Sequence, residues 1–247
     1  MTTISQKYQC SLVGHANLGR NNPSCLYPSL DDKFFDKIDS PDKAYVLGWI
    51  ASDGTITKGY RTIAICLAKQ DLEILKKIRN IVCKEIPIKP QKVYRILAQK
   101  QYRLNICSKT IGERISNLLG LSCYGKKSGV VRFPRLEEHY KLDFIRGYFD
   151  GDGHIRSINK NPLKGLECGI SSYSPELKKS IKEICFKNGI DSHINKYGIY
   201  FSTYSAIKFL SFLYDNNKIH LRRKYKMYLK WKKRIETKNT YMCESKE

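Results

Sequence analysis

A chain of 247 residues with 41% hydrophobic side chains can bury a core, so a globally disordered protein is excluded and one large domain or two ordinary ones fit. Its 45 Lys and Arg outnumber 23 Asp and Glu, for a net charge of +22 spread along the sequence, and the expected partner is a polyanion, foremost nucleic acid. No segment reads as a membrane span, and the 9 Cys, odd in number and without a Cys-x-x-Cys pair, read as reduced thiols of an intracellular protein in an unspecified compartment.

In chain order, residues 1–33 carry Gly14, Gly19, Pro23 and Pro28 and read as an N-terminal extension. Ser40-Pro41-Asp42 starts a helix, with a Ser cap, Pro in the first turn and an acid beside it. That helix is predicted to run to Ser52 and stop at Gly54. Ala44, Gly48 and Ser52 recur every four residues and form a small-residue stripe that lets another backbone approach. Tyr60 to Ala68 is predicted as a strand paired back onto residues 55–57 through a turn at Lys58-Gly59. Asp71 to Val82 has helical apolar spacing, a hairpin is expected from Val93 to Ala98 and Tyr102 to Ile106, and a helix over Thr110 to Leu119.

The second half repeats the first. Val46-Leu47-Gly48-Trp49-Ile50-Ala51-Ser52-Asp53-Gly54 has the layout of Ile145-Arg146-Gly147-Tyr148-Phe149-Asp150-Gly151-Asp152-Gly153. Gly48 and Gly147 are 147 − 48 = 99 apart, as are Asp53 and Asp152 (152 − 53 = 99), so the sequence predicts a duplicated unit. Gly147 and Gly151 form the second stripe. Strands follow at His154–Ser157 and Leu166–Ser171, a helix over Pro175–Lys187, strands at His193–Lys196 and Ile199–Ser202, and a helix over Ser205–Tyr214. The expected organisation is a first repeat at 34–134, a second at 135–237 and a loose tail at 238–247. The fold class is α+β, each half reading helix, two strands, helix, two strands, helix.

The chemistry centres on Asp53 and Asp152. A carboxylate at a helix C-terminus sits against the negative end of the dipole, and its presence in both halves calls for a compensating cation. If the two stripes pack together, the carboxylates arrive side by side and repel unless a proton or a divalent cation is shared. Oxygen ligands favour magnesium, or manganese, and such a site on a basic protein suits phosphodiester hydrolysis.

These two segments resemble the signature helices of the LAGLIDADG homing endonucleases in the single-chain, two-repeat form. The second copy is the closer one; in the first, Ala51 stands where the pattern has its first acid. The resemblance covers roughly residues 34–235. It implies a monomer with a pseudo-twofold pair of αββαββα repeats and two saddle-shaped antiparallel sheets on double-stranded DNA. The two motif helices would meet at the interface through Ala44, Gly48, Ser52, Gly147 and Gly151. It further implies metal held at Asp53 and Asp152, with Gly54 and Gly153 beside them, and a lysine late in each half near the scissile phosphates. Lys127 and Lys224 fit that place, with Lys126 and Arg223 as neighbours able to take the role. Strand alternation nominates Arg61, Arg95, Arg103, Arg156 and Lys196 for the DNA face, and the loops add Lys58, Lys100, Lys160 and Lys164. The implied function is a site-specific, metal-dependent endonuclease cutting both strands, intron-encoded or free-standing. The alternative is a non-cleaving relative that binds DNA or RNA.

Overall fold

The computed structural model describes residues 27–91, 99–122, 127, 129–157 and 165–244. Helix α1 spans Pro41–Ser52, and the Ser40 side chain accepts a hydrogen bond from the Lys43 amide at 3.2 Å, as the cap reading requires. Residues 44–52 are all buried. A helix apolar on every side needs cover on every side. Here α4, Glu138–Asp152, supplies part of it, and it too is buried through Asp150.

Between these helices the first half forms β1 (Gly54–Ile56), β2 (Ile63–Ala68), α2 (Leu72–Val82), β3 (Ile88–Gln91), β4 (Gln101–Ile106) and α3 (Lys109–Leu119). After α4 come β5 (Gly153–Ser157), β6 (Leu166–Ser171), α5 (Pro175–Lys187), β7 (His193–Ile194), β8 (Gly198–Ser202), α6 (Thr203–Tyr214) and α7 (Arg222–Glu244). The strands build two antiparallel sheets of equivalent order, β1-β2-β4-β3 and β5-β6-β8-β7. Each motif helix runs directly into the outer strand of its own sheet, which places Asp53 and Asp152 at the start of a strand.

Alternation gives each sheet one apolar face on the helices. In the first sheet Ile63, Ile65, Leu67, Leu104 and Ile106 are buried, and in the second Leu166, Cys168, Ile170, Ile199 and Phe201. These residues belong to one continuous core that also takes in both motif helices and Tyr228 and Trp231 of α7. Ties between the halves include Ser174 Oγ donating to Val131 O at 2.6 Å and Arg223 Nε donating to Asp71 Oδ1 at 3.0 Å.

The predicted boundaries move in four places. The strand expected from Tyr60 begins at Ile63, because Tyr60 closes a 3₁₀ turn with φ at 62°, a left-handed angle that no ladder accepts. The strand expected at 93–98 lies outside the described residues, and the strand seen beside β4 is Ile88–Gln91. The strand expected to reach Lys196 stops at Ile194, where Asn195 Oδ1 accepts from the amides of Tyr197 at 2.8 Å and Gly198 at 3.1 Å and closes a turn. The tail expected after residue 237 continues α7 as far as Glu244.

Candidate active site at the ends of the paired helices

The site exists because two backbones touch. A Cβ on Gly48 would lie 2.7 Å from Tyr148 N, and one on Gly147 would lie 2.9 Å from the Tyr45 carbonyl carbon and 3.2 Å from Gly48 Cα. Gly151 abuts Ser52, and a Cβ there would stand 3.0 Å from Asp53 Oδ2. The predicted interface residues Gly48, Ser52, Gly147 and Gly151 therefore meet, and Ala44 is buried on the same helix. Their contact brings the ends of α1 and α4, and with them the two carboxylates, into one place.

Asp53 caps α1, its amide donating to Trp49 O at 3.0 Å, and its side chain reaches the surface. Asp152 is the last residue of α4 and is half-buried. Loss of solvent raises the Asp53 carboxyl, against the positive charges of Lys127, Lys224 and Arg223. Asp152 is pushed up to about 6, first by burial and then by the negative charge of Asp53, while Lys127, Lys224 and a hydrogen bond with Tyr148 oppose the shift. Both carboxyls are thus held above their ordinary range, chiefly by loss of solvent, despite the cations beside them.

The two lysines are placed alike. Lys127 Nζ donates to Ile50 O at 3.1 Å, to Gly54 O at 2.8 Å and to Ser52 O. Lys224 Nζ donates to Phe149 O at 2.5 Å, Asp150 O at 2.8 Å and Gly151 O at 3.3 Å, and lies 5.0 Å from the Phe149 ring centre. Each ammonium closes over the carbonyls at the end of its motif helix, where the dipole is negative. Burial lowers both to about 8, against the pull of the nearby carboxylates. Lys127 remains half-buried at the site, whereas Lys224 is 2% exposed. Two cavities flank this centre. One of about 400 Å³ is lined by Ser52, Asp53, Gly54, Ser116 and Lys127, and another of about 230 Å³ by Ser52, Lys127, Tyr148, Asp152 and Tyr173.

Two buried side chains, Asp150 and Tyr148, have no role in the sequence reading, and the exposed Arg223, named there only as a neighbour of Lys224, also bears on the site. Asp150, fully buried, accepts from Tyr45 Oη at 2.7 Å, Tyr214 Oη at 2.6 Å and the Leu221 amide at 2.7 Å. It thereby fixes the segment that leads into Lys224. Tyr148 reaches Asp152 from the aromatic position of the motif, where the first copy carries Trp49. Arg223, bonded to Asp71 of the other half, lends its charge to Asp53. A signal for Asp150 was present, since the first copy has Ala51 there and only one half needs the acid.

Of the residues nominated for the DNA face, Arg103 stands on the outer face of β4 and Arg156 on that of β5. Arg103 Nε donates to Asn105 Oδ1 at 2.8 Å, and Arg156 is paired with Glu167 across the ladder. Arg61, Lys58, Lys100 and Lys196 lie in turns and not on strands, Arg61, Lys58, Lys100 and Lys196 all being exposed. Arg95, Lys160, Lys164 and Lys126 fall outside the described residues. Among the described residues no group of three or more His, Cys, Asp or Glu is arranged to hold a metal. Gly54 O already accepts from Lys127. No described helix is long and apolar enough to cross a membrane.

Comparison with known proteins agrees with this geometry. The family model for the LAGLIDADG-like domain matches residues 139–230. An uncharacterized protein of Methanocaldococcus jannaschii, MJ1054, is 28% identical over 169 residues, which is 65% of this chain and 18% of that protein. The chain therefore spans less than a fifth of the length of that relative. Among solved structures, the meganuclease I-SmaMI bound to uncleavable DNA superposes with a TM-score of 0.53 at 14% identity, over 81% of this chain and 91% of that one. I-SmaMI bound to an uncleaved DNA target in the presence of calcium ions gives 0.52 at 14% identity, over 81% and 92%. At such identity the likeness is one of fold. With its two equivalent sheets and the paired helices between them, the chain shares the fold of these solved structures, and its residues 139–230 match the LAGLIDADG-like domain.

Proposed function

We propose that this protein is a monomeric, site-specific DNA endonuclease that hydrolyses one phosphodiester bond in each strand of a duplex with the help of a divalent cation. The observation that carries the reading is the juxtaposition of Asp53 and Asp152, each beside a lysine, at the junction of two outward-facing polar sheets. The residues fit a hard cation: two carboxylates raised chiefly by loss of solvent, Asp152 also by the charge of Asp53, would return to the ionised form when a divalent ion neutralises them. Magnesium or manganese held there would supply Lewis acidity and activate water. Lys127 and Lys224 keep the carbonyls of the helix ends satisfied and hold positive charge against the phosphate being attacked. The repeats 34–134 and 135–237 would each serve one strand, and the sheet faces around Arg103 and Arg156 would lie on the duplex. The meganuclease with a similar fold is itself DNA-bound, in one case with calcium ions. Incubating the protein with a randomised duplex library and magnesium, then sequencing the ends, tests the proposal; a recurrent cut site is the expected result.

A second reading has its own observation. Lys224 is 2% exposed and already bonded to three carbonyls, as a purely architectural cap would be. A non-cleaving DNA- or RNA-binding relative would bind the library tightly and leave every strand intact.

A further inference from the structure

The two sheets end differently beside the carboxylates. In the first half the amide of Lys69 donates to Lys100 O at 2.8 Å, and in the second the amide of Ser172 donates to Tyr197 O at 2.9 Å. The residue before the cap of α2 is Gln70, and that before the cap of α5 is Tyr173. Where one half offers Gln70 and Lys100, the other therefore offers Tyr173 and Tyr197. These two rings are 61% and 51% exposed, and their centres lie 6.3 Å apart in an edge-to-face pair. Lys196 Nζ stands 4.8 Å from the Tyr197 ring centre. Tyr173 also lines the cavity that holds Asp152.

Both rings stand on fixed turns. Ser174 Oγ donates to Val131 O at 2.6 Å, and Ser172 Oγ accepts from the Ser174 amide at 3.2 Å, which locks the turn under Tyr173. Lys178, a cation only 5% exposed, donates to Asn195 O at 2.6 Å and Lys196 O at 3.3 Å, and so anchors the turn under Tyr197 from below. Burying a lysine ammonium to hold a surface turn is costly unless every proton is bonded, and it leaves the tyrosines pre-positioned. Neither ring contributes to the core cluster.

We propose that Tyr173 and Tyr197 form an aromatic wedge that packs into the minor groove of a DNA duplex next to Asp152, unstacking a base step on that side alone. This rests on the nucleic-acid reading above. Apolar side chains that enter a minor groove separate base steps and bend the duplex, and a flanking cation anchors the phosphate backbone. The first half, with Gln70 and Lys100, makes only polar contacts at its equivalent place, so the two half-sites distort their strands unequally.

The wedge is tested without knowledge of the target, using mixed-sequence duplexes in EDTA, either fully paired or with a central mismatch that removes stacking beforehand. The parent protein should favour the mismatched duplex, and Tyr173→Ala with Tyr197→Ala should lose roughly tenfold in affinity for it, approaching the affinity for paired DNA. In parallel, Tyr173→Trp places a reporter on the wedge. Trp49 and Trp231 are 1% and 5% exposed, so acrylamide quenching reads the new indole. DNA should quench its emission and shield it from acrylamide. Saturating DNA binding with an unshielded indole, or an unchanged mismatch preference in the double variant, overturns the wedge. Failure of the parent to bind either duplex overturns the nucleic-acid reading itself, and the wedge with it.

Discussion

Gly48 and Gly147 press backbone against backbone: a Cβ on Gly147 would come within 3.2 Å of Gly48 Cα and overlap the Tyr45 carbonyl. Neither neighbour is a side chain that can swing away. Gly48→Ala and Gly147→Ala should each cost about 2–3 kcal/mol by overpacking and lower the melting temperature by roughly 4–12 °C, read by thermal denaturation. Gly151→Ala meets Ser52 Cβ at 2.7 Å, an atom fixed to its backbone, and should be destabilising as well.

Asp53→Asn and Asp152→Asn remove charges that the site holds above their ordinary pKa. Each variant should lose double-strand cleavage while keeping DNA binding, measured on the selected target by product gels and by gel shift. Each should also melt higher than the parent in EDTA. A variant that cleaves like the parent ends the role proposed for that residue.

The pH dependence of stability follows from the same shift. The Asp152 carboxyl rises from 3.8 to about 6 on folding, so the folded state binds a proton more readily than the unfolded one. Its unfavourable contribution is complete above about pH 6 and is relieved as pH falls toward 4. In EDTA, the parent should lose less stability on acidification through that window than Asp152→Asn does. At the other end, Lys127 and Lys224 drop from 10.5 to about 8, so their contribution improves as pH rises from about 8 to 10.5. Denaturant titrations at stepped pH check both signs.

Asp150 carries three hydrogen bonds and lies beside the buried Lys224 ammonium. Asp150→Ala should cost about 3–5 kcal/mol, because it strands an ammonium and two tyrosine hydroxyls in the core. Tyr45→Phe, which removes a single donor, should cost about 1 kcal/mol. Chemical denaturation of the two variants separates these outcomes.

Binding to any duplex should weaken steeply with salt, since the net charge of +22 implies many phosphates neutralised and counterions released. A plot of log affinity against log salt concentration with a shallow slope would contradict an extended basic contact surface.

Much of this was legible along the chain. Ser40 and Pro41 declare the start of α1, Pro175–Lys187 is readable as a helix from its apolar spacing, and the 99-residue interval between Asp53 and Asp152 declares the duplication. The turns were harder: Tyr60 has a side chain that favours strands, but packing against Gly112 and a left-handed φ place it in a turn. Lys196 reads as strand in sequence and is a turn residue because Asn195 bonds the amides beyond it.

The sequence by itself determined the repeat, the helix caps, the apolar faces and the two acidic helix ends, because each depends on neighbours a few positions away. The tertiary structure alone decided that both lysine ammoniums close over helix-end carbonyls, that Asp150 is an anchor for Tyr45 and Tyr214, and that Tyr173 and Tyr197 stand together beside Asp152. Those relationships join residues far apart in the chain, and only the close approach of Gly48 to Gly147 and the pairing of strands bring them within bonding distance.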